Sequence, residues 1–289
     1  MAAFTLTVRG MTFRGTEEGP SDGPLALLLH GFPDSHQTWR HLSGPLAALG
    51  YHVVAPALRG YAPSDLASDG NYQMASLVLD VVAIEEALRA EEKSVLIGHD
   101  WGAIIAYGAA ALAPDVWSKM VTMAVPPPDS IANSFMTYDQ LQRSWYMFFF
   151  QNALADFVVP MDDLAFLDGL WADWSPGYNA TDDLEFTKQA LREPDRISAA
   201  LGYYRSMFQA DLLDPALQEF QDALNQPTTI PTFYLHGEDD GCFGIGNIGD
   251  PLASLPEGSQ FETVADAGHF LHLEQPNHVE QSITAFLQR

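Results

Sequence analysis

Short apolar runs separated by glycine and proline limit the fold of this chain more than any other feature. The runs are PLALLLHG from residue 24, YHVVAPAL from residue 51, SVLIG from residue 94 and KMVTMAV from residue 119. A strand that is apolar along its whole length is buried on both faces, as in the parallel sheets of α/β proteins. The runs therefore predict neighbouring strands of one mostly parallel sheet.

Helical patterns lie between these runs, as a doubly wound sheet requires. One pattern, which ends at Gly50, consists of Trp39, Leu42, Leu46 and Leu49. A second consists of Leu77, Val81, Ile84 and Leu88, and the Ala-rich stretch GAIIAYGAAALAP forms a third. At the N-terminus, FTLTVRG and MTFRG alternate between apolar and polar residues and predict a hairpin. The alternation of strands and helices predicts the α/β class with a mostly parallel, doubly wound sheet.

This alternation stops at the three prolines of residues 126–128. The next hundred or so residues are rich in aromatic and acidic residues and contain no strand pattern, which predicts a helical insertion. Strand patterns return with TFYLHG and QFETVADAG, and an amphipathic helix begins near Asn277. We therefore expect residues 1–126 and 228–289 to form one α/β core, and residues 127–227 to form an inserted helical domain.

The charge of the chain excludes whole classes of partner. Its 289 residues include 13 Lys and Arg against 38 Asp and Glu, a net charge of −25 at pH 7. Nucleic acids and anionic membrane surfaces both require clustered basic residues, so neither is an expected partner. The lone Cys242 fits a reducing compartment, and the sequence shows no secretory leader or membrane span. A cytoplasmic protein is expected, with its oligomeric state open and a homodimer as one option.

The pentapeptide GHDWG, residues 98–102, carries the strongest chemical signal. It lies between the strand SVLIG and the Ala-rich helix, where a sharp turn needs small residues on both sides of its apex. Gly98 and Gly102 meet that need, and the apex is Asp100. Helix N-termini favour an ionised carboxylate, so Asp100 is suited to act as a nucleophile that forms an ester. A helix-capping aspartate is the alternative interpretation.

Two further residues are candidates for stabilising an oxyanion. The tetrapeptide HGFP, residues 30–33, follows the first buried strand. In enzymes that carry the nucleophile on a strand-to-helix turn, one amide comes from this loop and the other from the residue after the nucleophile. These positions are Phe32 and Trp101 here. An ordinary Gly-Pro turn is the alternative for HGFP.

An acid and a histidine follow the nucleophile in chain order, as in hydrolytic triads. HGEDDGC comes directly after one strand pattern and AGHFLH after the next, which places Asp240 and His269 at the carboxyl ends of strands. Glu238 and Asp239 compete for the role of the acid, and a solvated acidic loop or a cation site would also explain this triplet. The apolar surroundings of His272 favour a core histidine over a catalytic one.

Together these motifs resemble those of a known family. HGFPDSHQTW, RGYAPSD, GHDWGA, HGEDDGC and AGHFLHLEQP occur in the order and context of epoxide hydrolases of the α/β-hydrolase fold superfamily, over essentially the whole chain. The resemblance implies an α/β-hydrolase fold with a helical cap domain at residues 127–227. The spacing of the family's acid, three residues after the glycine that ends its strand, falls on Asp240.

The resemblance also implies two cap tyrosines that donate hydrogen bonds to the epoxide oxygen. SWYMFFFQ resembles the first cap motif and gives Tyr146, and LGYYRSMF resembles the second and gives Tyr204. A phenol with a pKa of about 10 stays protonated at neutral pH and can donate to a developing alkoxide. Tyr203 is rotated by about 100° on a helix and is expected to face elsewhere. Core packing is the alternative for both tyrosines.

The implied reaction has two steps and needs no metal or organic cofactor. Asp100 opens a neutral, apolar epoxide to form an ester, and His269, oriented by Asp240, then activates the water that hydrolyses it. The amides of Phe32 and Trp101 would stabilise the oxyanion. The expected partners are therefore the epoxide and water, and the residues expected to contact the substrate are Phe32, Trp101, Trp171 and Trp174.

Two other functions fit parts of the sequence. Haloalkane dehalogenases share the Asp nucleophile and the following Trp, and Trp171 or Trp174 could supply a second indole for halide, but the cap tyrosines favour the epoxide. A non-enzymatic protein that binds a small ligand on the same fold is the other alternative. GIGNIG, residues 244–249, fits a dinucleotide fingerprint outside its usual context and is interpreted as a loop. Cys242 is expected to be a buried structural thiol.

Overall fold

One mixed sheet forms the centre of the molecule. The computed structural model describes residues 1–89, 91–224 and 226–289. The strands are β1 (Ala2–Val8), β2 (Met11–Glu18), β3 (Leu25–Leu29), β4 (His52–Pro56), β5 (Ser94–His99), β6 (Trp117–Met123), β7 (Thr232–Gly237) and β8 (Gln260–Val264). Their order across the sheet is β1-β2-β4-β3-β5-β6-β7-β8, in which β1 with β2 and β2 with β4 are antiparallel and the other pairs are parallel. The predicted hairpin and mostly parallel sheet are confirmed.

The apolar runs form strands that are buried on both faces. Every residue of β3, β4, β5 and β7 is buried. Successive side chains of a strand point to opposite faces, and β3 shows this directly. Leu25, Leu27 and Leu29 belong to one hydrophobic cluster, whereas Ala26 and Leu28 belong to another on the opposite side. The continuous apolar pattern therefore reflects two cores that share one sheet.

Helices cover both faces, as the doubly wound arrangement predicts. The helices of the core are α1 (Ser43–Ala48), α2 (Met74–Leu88), α3 (Trp101–Leu112), α12 (Leu271–Glu274) and α13 (Pro276–Leu287). Leu77 of α2 and Ile105 of α3 belong to the same cluster as Leu27. Leu46 of α1 and Ile283 of α13 pack on the other face.

The first predicted helix differs from the structure. The pattern that ends at Gly50 predicts one continuous helix, but the chain forms a 3-10 helix over His36–His41 and then α1. Pro45 has no N–H, so a continuous helix would leave the carbonyl of His41 without its partner. The chain instead begins a new helix at Ser43, where Pro45 lies in the first turn and its missing donor costs little.

Helices also occupy the chain between β6 and β7. They are α4 (Pro128–Ser134), α5 (Tyr138–Arg143), α6 (Trp145–Phe149), α7 (Ala155–Val158), α8 (Met161–Trp174), α9 (Thr181–Leu191), α10 (Pro194–Phe208) and α11 (Gln218–Ala223). They lie within the predicted insertion of residues 127–227, whose status as a separate domain stays a prediction. In the part of the chain that the structure describes, no helix has the length and apolar character needed to cross a membrane.

Candidate active site

Asp100 occupies a strained turn between β5 and α3. Its φ of 53° lies in the left-handed region, which non-glycine residues rarely adopt. A side chain at Gly98 would collide with the carbonyl of Gly102, and one at Gly102 would collide with the carbonyl of Leu29. The two glycines are therefore required by close backbone approach. The Asp100 carboxylate does not cap α3, which removes the alternative interpretation of a helix-capping residue.

The loop after β3 holds one oxygen of the Asp100 carboxylate. The amide of Phe32 donates a hydrogen bond to Asp100 Oδ1 over 2.7 Å. This approach depends on Gly31, because a Cβ there would collide with the side chain of Asp100. Trp101, the second predicted oxyanion residue, is the first residue of α3 and directly follows the carboxylate. The local backbone thus places an amide at the oxygen where negative charge would develop.

His269 lies between two carboxylates. Its Nδ1 is 3.0 Å from Asp240 Oδ2, and its Nε2 is 3.4 Å from Asp100 Oδ2. The other oxygen of Asp240 accepts hydrogen bonds from the amides of Cys242 (2.7 Å) and Phe243 (2.9 Å). We call Asp100, Asp240 and His269 the cavity cluster, after Asp100, which lines the cavity described below.

Competing residues of the sequence analysis lie elsewhere. Glu238 and Asp239 are exposed, whereas Asp240 is buried against His269. His272 is buried as expected for a core histidine, and its Nε2 is 2.5 Å from Thr38 Oγ1. The acid and histidine that contact each other are therefore Asp240 and His269.

The cavity cluster is charged in its resting state. Burial by itself would lower the pKa of His269, but the carboxylates of Asp240 and Asp100 outweigh it and raise that pKa to about 10. Burial would likewise raise the pKa of Asp240, but the adjacent His269 lowers it. An imidazolium therefore lies between two carboxylates at neutral pH.

Two buried tyrosines from the helical insertion meet above Asp100. Tyr146 lies on α6 and Tyr204 on α10, with ring centroids 5.7 Å apart. The hydroxyl of Tyr146 is 3.4 Å from Cys242 Sγ, and that of Tyr204 has no hydrogen-bond partner among the described residues. Burial raises the pKa of both phenols well above the usual value, so both are protonated donors. Tyr203 faces elsewhere, as expected, and donates to the carbonyl of Arg59.

A mostly apolar cavity opens beside Asp100. The polar groups at its wall include Asp100, Tyr146, Tyr204 and Cys242. Most of the remaining wall is apolar and includes Ile104, Val125, Phe135, Met147, Met207 and Phe243. Apolar walls with a few convergent polar groups suit a small, neutral ligand.

The predicted substrate contacts of Trp171 and Trp174 are not supported. The indole N–H of Trp171 donates to the carbonyl of Pro33 over 2.9 Å, and its ring stacks on Phe270. The carbonyl of Trp174 accepts hydrogen bonds from the amides of Gly241 and His269. Neither tryptophan is among the described residues that line the cavity. They support the loops that carry Asp240 and His269, a role that depends on how the insertion packs on the core.

Other aromatic side chains of the insertion lie on its outer surface. Trp145 and Phe148 are about half exposed, so they are not the cavity wall that an apolar substrate would contact. The GIGNIG segment contains a 3-10 helix over Ile245–Asn247, and it does not open a helix directly after a strand. It therefore lacks the geometry of a dinucleotide-binding turn.

Cys242 is a polar residue of the cavity wall whose place in the site the sequence interpretation missed. It is buried, as expected of a structural thiol, but it also lines the cavity and contacts Tyr146. Its position two residues after Asp240 could have predicted this, because the turn that binds the Asp240 carboxylate also brings the thiol beside the site. Gln140, also missed, donates to the carbonyl of Cys242 and accepts from the amide of Gly244, which holds the turn in place.

A second cluster of the same residue types lies behind the first, away from the cavity. We call Asp34, His99 and His272 the inner cluster. His99 Nε2 donates to the carbonyl of His269 over 2.9 Å, and His99 Nδ1 is 3.9 Å from Asp34 Oδ2. Burial raises the pKa of Asp34 to about 8 and lowers that of His99 to about 4. The inner cluster is therefore largely uncharged at neutral pH.

Known proteins share the sequence pattern of this chain. The family model of the alpha/beta hydrolase fold matches residues 24–276. Epoxide hydrolase 4 of Mus musculus is 30% identical over 96% of this chain and 77% of its own length. An epoxide hydrolase of Caballeronia sordidicola is 28% identical over 99% of this chain and 93% of its own length.

Solved structures share the architecture as well. The crystal structure of Bacillus megaterium epoxide hydrolase in complex with an inhibitor aligns with a TM-score of 0.83 and 26% identity, covering 99% of this chain and 100% of that one. A putative epoxide hydrolase from Klebsiella pneumoniae aligns with a TM-score of 0.84 at 23% identity, a level that speaks for the fold alone. The chain therefore belongs to the epoxide hydrolases of the α/β-hydrolase fold, a family of hydrolytic enzymes.

Proposed function

We propose that this protein hydrolyses apolar epoxides to vicinal diols through a covalent ester on Asp100. One observation carries the proposal: a carboxylate held by a backbone amide and two protonated tyrosine hydroxyls face the same apolar cavity. An epoxide needs both, because a nucleophile must attack its carbon while a donor stabilises the oxygen that leaves. The relatives named as epoxide hydrolases support the same substrate class.

The first step is attack by Asp100 on a ring carbon. Oδ1 accepts the hydrogen bond from Phe32 and would become the carbonyl oxygen of the ester, so Oδ2 is the attacking atom. The carbon–oxygen bond of the ring breaks, and Tyr204 and Tyr146 donate to the alkoxide that forms. The Tyr204 hydroxyl has no hydrogen bond of good geometry among the described residues and Tyr204 lines the cavity, so this donor is available to the substrate oxygen.

The second step requires His269 to change from an imidazolium to a base. The charge of Asp100 is one of the causes that raise the pKa of His269 to about 10. Forming the ester removes that charge, so the pKa falls and His269 can lose its proton while the alkoxide gains one. Neutral His269, whose tautomer is fixed by Asp240, then takes a proton from the water that attacks the ester carbonyl.

The oxyanion of this second step would form where the Phe32 amide already lies. The distance of 2.7 Å from that amide to Asp100 Oδ1 fits a preorganised donor. The amide of Trp101 would be the second donor. Loss of one such donor typically costs about 3 kcal/mol of transition-state stabilisation.

The structure gives less support to a haloalkane dehalogenase. A halide site needs a second indole or amide N–H beside that of Trp101. The indole of Trp171 already donates to Pro33, and Trp174 is outside the described cavity lining. The tyrosine pair instead presents hydroxyl donors suited to oxygen.

A single-turnover experiment in isotopically labelled water tests the covalent route. With styrene oxide as the probe, label should enter the Asp100 carboxylate, because the attacking water becomes part of that side chain when the ester is cleaved. Asp100→Asn should abolish diol formation, and His269→Gln should accumulate the ester, detectable by intact-mass measurement. Label found only in the diol after one turnover would refute the covalent intermediate.

A further inference from the structure

Three buried side chains, two of which line the cavity, form a ligand set that the epoxide reaction does not use as such. Cys242 Sγ, His269 Nε2 and a carboxylate oxygen of Asp100 all lie within 4.8 Å of one another. Thiolate, imidazole and carboxylate are the three kinds of protein ligand that zinc prefers. Two ligands of tetrahedral zinc, each about 2.1 Å from the ion, lie roughly 3.4 Å apart. The distance between His269 Nε2 and Asp100 Oδ2 is 3.4 Å.

His269 also has the surroundings of a metal-binding histidine. His269 is fully buried, and its Nε2 forms an ion pair with Asp100 Oδ2 but, among the described residues, no hydrogen bond of good geometry. Its Nδ1 contacts the carboxylate of Asp240 over 3.0 Å. Histidines that bind zinc usually donate their second N–H to such a carboxylate, which fixes the ring and strengthens the ligand. Asp100 and Cys242 line the cavity, so water or solute could reach a metal held by them.

We propose that Asp100, Cys242 and His269 form a binding site for a thiophilic divalent cation such as Zn²⁺, and that this cation reversibly inhibits the enzyme. The metal would occupy the attacking oxygen of the nucleophile and the basic nitrogen of the histidine at the same time. Epoxide opening and ester hydrolysis would therefore both stop until a chelator removes the ion. Binding of the cation does not depend on which substrate the enzyme uses.

Zinc binding would exchange protons for the metal without changing the net charge of the site. This matters because an uncompensated charge is costly in a buried site. Zinc binds the thiolate of Cys242 and the neutral ring of His269, so one proton leaves each side chain. One Zn²⁺ thus replaces two protons, and the net charge of the group does not change. Asp240, Tyr146, Tyr204 and His99 are the other ionisable groups beside these ligands, and His236 and Arg143 contact Asp240 from behind.

The inner cluster provides a matched control. Asp34, His99 and His272 also offer three ligand atoms within 4.8 Å of one another, but none of the three is among the described residues that line the cavity. A metal bound there would leave Asp100 and the thiol untouched. Substitution of His272 separates the two locations, because it removes a ligand from the inner cluster only.

The test measures Zn²⁺ binding to the full-length protein directly, with ZnCl₂ and a competing chromophoric chelator, in the absence of epoxide. We expect one zinc ion per chain, a loss of affinity of at least about 100-fold in Cys242→Ser and Cys242→Ala, and unchanged affinity in His272→Gln. Wild-type protein titrated with Co²⁺ should show a thiolate-to-cobalt charge-transfer band, a readout that needs no variant. Circular dichroism establishes that each variant is folded.

Several results would overturn the proposal. These are no zinc binding to the wild type, wild-type affinity in both folded Cys242 variants, loss of binding in His272→Gln, or a cobalt complex without the charge-transfer band. Inhibition of turnover by ZnCl₂ should be reversed by EDTA. It should occur over the same range of zinc concentration as binding does. A protein that binds zinc through Cys242 but opens no epoxide would refute the proposed function alone, so the two failures are distinguishable.

Discussion

The cavity cluster and the inner cluster contain the same residue types in equally buried positions, and they differ in charge. In the cavity cluster, the carboxylate of Asp240 lies 3.0 Å from His269, whose pKa rises to about 10. In the inner cluster, Asp34 and His99 are 3.9 Å apart, and burial raises the pKa of the acid to about 8 and lowers that of the histidine to about 4. Burial neutralises the acid and the histidine when they are apart, whereas direct contact between them keeps both ionised.

The two clusters are joined through the backbone of His269. The ring of His269 faces Asp100 and Asp240, while its carbonyl accepts the hydrogen bond from His99. The inner cluster can therefore position His269, but in this geometry it has no direct contact with the reacting atoms. Because only the cavity cluster contacts the reacting atoms, the same substitution is expected to have different effects in the two clusters.

The largest effect is expected for Asp240→Asn. The amide cannot hold His269 in the tautomer that presents a basic Nε2, and comparable substitutions lower kcat by about 10⁴-fold. Asp34→Asn is the matched control, with an expected loss at least about 100 times smaller, because Asp34 contacts neither the ring of His269 nor the cavity. Rates of ester hydrolysis under single-turnover conditions measure both. Equal losses would mean that the inner cluster takes part in the chemistry.

A smaller effect is expected for the tyrosines above the cavity cluster. Tyr204→Phe should slow ester formation by about 100-fold, since a positioned proton donor typically contributes that much. Tyr146→Phe should cost less, because the Tyr146 hydroxyl is shared with Cys242 Sγ. Rapid-quench measurement of the ester gives the rate. If the substitutions slowed only ester hydrolysis, the assignment of these hydroxyls to ring opening would be wrong.

The inner cluster should instead control the pH dependence of stability. The folded-state pKa of Asp34 is about 8 against an ordinary value of 3.8, so the folded protein binds more protons between these values. The contribution of Asp34 to the free energy of unfolding therefore falls as pH rises from about 4 to about 8, by at most about 1.4 kcal/mol per pH unit. Urea unfolding of wild type and Asp34→Asn at several pH values measures the difference. The prediction would be wrong if the free energy of unfolding of the wild type rose with pH relative to that of Asp34→Asn.

Local sequence was enough to predict the parts of the site that depend on one turn. The strand patterns and the two glycines of GHDWG determine the position of Asp100, because the close approach of β5 and α3 admits only small residues there. Asp240 and His269 follow strands that lie side by side in the sheet, so topology brings their loops together.

Residues whose environment depends on contacts between distant segments could not be predicted in the same way. Trp171 and Trp174 have helical spacing that fits a cavity wall or a core equally well, and the structure buries both against loops of the core. Cys242 carries no motif of its own and reaches the cavity only because the amides around it bind Asp240. The inner cluster brings together residues from three separate segments, which no local pattern reports.

The smallest effects are expected for the two acids that precede Asp240. Glu238 and Asp239 are exposed, so water already solvates their charges and neither has the buried partner that makes Asp240 distinctive. Glu238→Gln and Asp239→Asn should leave kcat within about twofold and the free energy of unfolding within about 0.5 kcal/mol of the wild type. Steady-state turnover and urea unfolding measure these values. A tenfold loss of kcat in either variant would contradict the assignment. It would show that an acid can serve the reaction without being buried and hydrogen-bonded to His269.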